Sequence, residues 1–131
     1  MPHTGLGTCA AVLRDTVTHE EVCFPRKLGV VADSSMAEME AIVLGIERAI
    51  WYGSRKLQLH SDCLHAIGCV LKNGRTKKSR GDLAHAGRVA YALLHSENLE
   101  CWRIDHIPRT QNGLADRCVD SHVSVVNVNS S

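Results

Sequence analysis

A chain of 131 residues is long enough to bury a core of its own and has the length of one domain. Fifteen basic residues nearly cancel fourteen acidic ones, so bulk charge selects no class of partner, and a 44% hydrophobic content fits a soluble globular protein. No apolar run approaches the length needed to span a bilayer, which argues against a membrane partner. The opening Met1-Pro-His-Thr-Gly also lacks a basic stretch followed by an apolar core. The protein is therefore expected to be intracellular, with nothing in the sequence to distinguish nucleus from cytoplasm.

Thr8 to Asp15 reads as a strand and Glu21 to Leu28 as a second, joined as a hairpin. Pro25 removes a ladder donor, which puts the second strand at a sheet edge. From Ser34 to Gly53, Met39, Ile42, Val43, Ile46, Ala49 and Ile50 recur at three- and four-residue steps. That spacing gives one apolar helical stripe, with Glu40, Glu47 and Arg48 off it. Lys56 to Asp62 alternates as a short strand. Cys63 to Lys72 carries Leu64, Ile67, Gly68 and Leu71 at helical spacing, and Asn73-Gly74 closes it. Asp82 can cap a further helix bearing Leu83, Ala86, Gly87, Ala90 and Leu94. Leu99 to Ile107 alternates again, with Trp102, Ile104 and His106 on one face. A loop follows, then a short helix from Leu114 that contains Asp116. Residues 1–123 are read as one domain, and residues 124–131, Ser/Asn-rich at their end, as a frayed tail. A hairpin followed by alternating helices and strands implies an α/β fold, a mixed sheet with helices on its faces.

The six cysteines form no Cys-x-x-Cys pair, and most lie in apolar periodic segments, where a thiol acts as a small hydrophobe. His60, Cys63 and His65 are the one close His/Cys grouping, without the paired spacing of a zinc site. A cysteine/histidine metal or redox module is therefore poorly supported.

Three carboxylates each have two readings. Glu38 stands three residues after Ser35, the spacing of a capping box, yet it could face a site beyond the helix start. Asp62 ends a strand, where open α/β sheets place ligands; taken alone, helix capping is the better account. Asp116 falls at the opening of the last helix, where an acid also suits the helix dipole. Together the three could converge on a hard divalent cation. His106, ten residues before Asp116, is either a partnered core histidine or a proton carrier beside those carboxylates. Lys72, Arg75, Lys77, Lys78 and Arg80 put five cations into nine residues without an acid. Most such runs are solvated loops; the alternative is a patch that tracks phosphates.

Ala-Val-Leu-Arg-Asp, Ser-Met-Ala-Glu-Met-Glu-Ala, Leu-His-Ser-Asp-Cys and His-Ile-Pro-Arg-Thr-Gln-Asn-Gly-Leu-Ala-Asp-Arg occur in that order between about residues 5 and 120. In order and spacing they resemble the ribonuclease H domain, most of all its plant, retrotransposon-derived branch. The resemblance implies a mixed five-stranded sheet flanked by helices and cleavage of the RNA strand of RNA–DNA hybrids with two Mg2+ ions. It maps Glu38, Asp62 and Asp116 onto metal-binding carboxylates and His106 onto a histidine that assists proton transfer or product release. Asn112 falls where the family has a loop asparagine, so it joins the basic run as a candidate nucleic-acid contact. The partner implied is an RNA–DNA hybrid or structured RNA.

One part of the pattern is absent. The family opens with a central strand bearing Asp-Gly, whose aspartate bridges both metals, and Met1 falls after the place where that strand should end. Asp15 is no substitute, since it matches the Arg-Asp that closes the following strand. Two functions follow as expectations: a Mg2+-dependent endonuclease, a hydrolase of the hybrid's RNA strand, or a catalytically inactive nucleic-acid-binding or interaction domain that keeps the scaffold and basic loop.

Overall fold

The computed structural model describes residues 6–30, 34–107 and 122–128. Five strands and three helices follow one another as β1 (Leu6–Asp15), β2 (Glu21–Val30), α1 (Ser34–Trp51), β3 (Lys56–Ser61), α2 (Leu64–Leu71), α3 (Gly81–Leu94), β4 (Cys101–His106) and β5 (His122–Val128). The sheet order is β2-β1-β5-β3-β4.

The hairpin forms because Asp15 builds its turn. Its Oδ1 accepts the amides of Val17 at 2.8 Å and Thr18 at 3.1 Å, and its carbonyl accepts that of His19 at 2.8 Å. An aspartate bonding forward to its own backbone does the work that an Asn-Gly pair does elsewhere. β2 lies at the sheet edge, with Pro25 opposite Ala10. A residue without an N–H is tolerated there.

The apolar stripe of α1 is buried from Met39 to Ala49, with Ile50 half-buried, but so are Ala41 and Leu44 outside it. This helix packs against β1 and β5 on one side and α3 on another, so burial extends well beyond a single stripe. Small residues let α2 and α3 approach closely. A Cβ at Gly87 would stand 2.5 Å from the Cys69 sulfur. Cys9 and Cys69 are free, buried thiols within the core, as their apolar settings suggested. At the far end of α3, His95 stacks on Tyr91 with centroids 4.0 Å apart. It meets Trp102 of β4 edge-on at 5.3 Å, tying helix to strand.

Three expectations are corrected. Asp82 does not occupy the cap of α3: the helix begins at Gly81, Arg80 stands at the cap, and Asp82 lies in the first turn. There its charge favours the helix dipole rather than closing the end. Asp62 does not cap α2 either, because Cys63 holds that position without a side-chain cap bond. The third correction is the largest. Ser124 to Val128, expected to fray, belong to β5, in the middle of the sheet. β5 runs parallel to β1, with Cys9 opposite His122, and antiparallel to β3, with His60 opposite Val125. Val123, Val125, Val126 and Val128 supply the β-branched residues that suit such a strand. The central position, expected to lack its strand, is thus filled from the C-terminal side. The short helix expected from Leu114 falls outside the described residues, as do Asn112 and Asp116.

Candidate functional site

Two strand ends and two helix starts meet at one end of the sheet. Ser61, the last residue of β3, is fully buried, and its Oγ accepts the Cys63 amide at 3.2 Å. That bond turns the chain from strand into α2 and leaves Asp62 half-buried at the corner. Ser61 is opposite His106 on β4, and its carbonyl accepts the Ile107 amide at 2.9 Å. Asp62 and His106 therefore sit at adjacent strand ends. His106 is exposed, in register with the buried, helix-facing side of β3.

Glu38 comes from α1 and is 5% exposed. Ser35, one turn earlier, approaches His65 of α2 with its Oγ 3.3 Å from Nδ1. This contact joins the first turns of α1 and α2, so the segment carrying Glu38 starts beside the helix that follows Asp62. His65 was grouped by the sequence only with His60 and Cys63; its pairing to α1 could not be read from spacing, because thirty residues separate the partners. Glu38 also makes itself felt at β1. Burial pushes the Cys9 thiol up to about 11, Arg26 opposes the rise, and Glu40 and Glu38 add to it. Glu40 pairs with Arg26 at 3.8 Å.

Among the described residues, no three His, Cys, Asp or Glu side chains converge closely enough to hold a metal ion. Glu38 and Asp62 offer hard carboxylate oxygens, which fit Mg2+ in kind. As a described set they are incomplete, with Asp116 outside it. β5 adds no acid beside them: its sequence is His-Val-Ser-Val-Val-Asn-Val.

The basic segment is a built loop. Gly74, with a φ of +74°, lets its amide reach the Cys69 carbonyl at 2.8 Å, and a Cβ there would meet the Ala84 carbonyl oxygen at 2.4 Å. Glycine is therefore required twice over, by dihedral and by space. Thr76 and buried Ser79 bond through their hydroxyls. Lys72, Arg75, Lys77, Lys78 and Arg80 are arranged around this frame, all five exposed. The loop leads into α3, whose Asp82 and His85 share a cavity of about 260 Å³ with Met36 and Glu40 of α1. The cations thus enter beside the α1 half that carries Glu38.

The sequence matches the family described as reverse transcriptase-like over residues 2–122. The chain belongs to that family. β5 begins where the match ends, so the strand at the centre of this reverse transcriptase-like chain lies almost wholly beyond it. No curated protein matches. Among solved structures, the chain resembles RNase H1 from the halophilic archaeon Halobacterium salinarum NRC-1. The TM-score is 0.67 at 20% identity, covering 86% of this chain and 95% of that one. It also resembles the N-terminal RNase H domain of a Mycobacterium tuberculosis protein, solved as a fusion with maltose-binding protein. There the TM-score is again 0.67, at 19% identity, with 86% and 96% covered. The fold of the reverse transcriptase-like chain is ribonuclease H-like, in agreement with the order and spacing of its motifs. No described helix is long and apolar enough to cross a membrane.

Proposed function

We propose that this chain is a nucleic-acid-binding ribonuclease H-like domain that receives an RNA–DNA hybrid or structured RNA and whose hydrolytic site is incomplete over residues 1–131. The observation that supports the reading is that β3 and β4 end side by side at Ser61 and His106, next to Asp62, where the first turn of α1 contacts α2 through Ser35 and His65, while β5 carries no carboxylate. Lys72, Arg75, Lys77, Lys78 and Arg80 bind the phosphate backbone, and Asn112 contributes a polar contact. Contacts to 2′-hydroxyls separate RNA from DNA. His106, exposed at its strand end, would exchange a proton with a leaving group or product. Glu38 and Asp62, with Asp116, would hold Mg2+, which when bound supplies an activated water and neutralises phosphate charge.

The endonuclease reading has its own support in the family and in this same carboxylate pair. Fusing an Asp-Gly-bearing strand upstream of β1, in place of residues 122–131 that fill the central position, tests it: Mg2+-dependent hybrid cleavage should appear, and vanish when only that aspartate becomes asparagine. A fusion that folds and binds hybrid yet never cleaves would show that more than one carboxylate is wanting.

A further inference from the structure

The opposite end of α1 carries an exposed apolar ledge that the proposed nucleic-acid site does not include. Of the six large hydrophobic side chains exposed among the described residues, Val17, Val22, Trp51 and Tyr52 gather around the hairpin and the α1 C-terminus. Trp51 is 71% exposed and Tyr52 54%. Such clustering marks an interaction surface more often than scattered apolar residues do. The rings are held in place before any partner arrives. Trp51 and Tyr52 meet edge-on at 4.9 Å, and Tyr52 tilts against Phe24 at 5.8 Å. The Arg48 guanidinium lies 5.2 Å from the Phe24 centroid and 5.9 Å from that of Trp51. Preset aromatic anchors lose little freedom on binding.

Beside the ledge is a pocket of about 310 Å³, whose lining includes Leu13, Val22 and Tyr52 and two acidic residues, Asp15 and Glu20. The amides of Val17 and Thr18 fix the Asp15 carboxylate, and Glu20 is exposed. β2 offers an edge for an extended segment to run along, interrupted at Pro25. Charge decides the occupant. A nucleic-acid strand would set its phosphates against Asp15 and Glu20, whereas a lysine or arginine would be attracted there while its apolar neighbours cover Val22 and the rings. Thirteen helical steps, or about 20 Å, separate Trp51 from Glu38, so both ends can be occupied together.

We infer that this ledge and pocket dock another protein through an extended segment in which a basic residue alternates with apolar ones, the cation lodging between Asp15 and Glu20. The probe is a fluorescein-labelled decapeptide of alternating leucine and arginine, titrated against the whole chain by anisotropy. Saturable binding is expected. It should weaken about tenfold or more in Glu20→Lys and in Trp51→Ser, each with an unchanged circular dichroism spectrum. The Lys77→Ala/Lys78→Ala/Arg80→Ala variant should bind the peptide as the parent does, which separates this surface from the nucleic-acid reading. Absence of binding, or affinity indifferent to both ledge substitutions, overturns the inference. So would a ten-nucleotide RNA that displaces the peptide and is itself weakened by Trp51→Ser, since the ledge would then be a nucleic-acid surface.

Discussion

Cys9 shows how a single residue reports on its surroundings. Its thiol is raised to about 11 by burial first, with Glu40 and Glu38 adding to the rise, against a reference of 9.0. The neutral thiol is thus favoured by folding. Its contribution to stability is full below pH 9.0 and declines as pH rises through about 11, because the unfolded chain ionises first. Thiol labelling near neutral pH should mark exposed Cys101 promptly and Cys9 only on unfolding; equal rates would contradict the burial. Elsewhere on the sheet, Gln58 Nε2 donates to Asp105 Oδ2 at 2.7 Å and Arg103 Nε to the same oxygen at 2.8 Å. The Gln58 bond first, then Arg103, holds the Asp105 carboxyl below its usual range. That stabilisation is present above the unfolded value and lost as pH falls through the folded one. Gly87→Ala should cost about 1–3 kcal/mol, since the added methyl meets the Cys69 sulfur in a packed interface. Chemical denaturation reads this directly, and an unchanged midpoint would show that α2 and α3 can separate freely.

At the scale of elements, the loop and β5 make opposite demands. Replacing Lys77, Lys78 and Arg80 with alanine should leave folding nearly unchanged, because exposed charges contribute little. It should flatten the salt dependence of hybrid binding by about one unit of slope for each phosphate no longer neutralised. An unaltered slope in a folded variant would reduce the loop to a solvated turn. Deleting residues 122–131 should instead abolish cooperative unfolding, since β1 and β3 would both lose their shared neighbour. Legibility followed the same division. The stripe of α1 and the edge role of β2 could be read because local periodicity and Pro25 carry them. β5 could not, because its Ser/Asn content resembles a tail and its partners lie more than sixty residues upstream. Asp62 at a strand end was legible, but its capping role was not decided until Ser61 was seen to bond the Cys63 amide. Glu38 and His65 meet the site through tertiary packing, which spacing within one helix does not encode.

For the whole molecule, the proposed function rests on a ribonuclease H-like scaffold whose central strand carries no carboxylate. Mg2+ binds protein carboxylates with reluctance and keeps several waters, so an incomplete donor set should hold it poorly. The most direct test incubates residues 1–131 with an end-labelled RNA–DNA hybrid and Mg2+, and resolves complex and products on the same gel. A salt-sensitive complex with the RNA strand intact is expected. Magnesium-dependent cleavage that disappears in Asp62→Asn would contradict the proposal, and would show that this site hydrolyses the hybrid without an acid on the central strand.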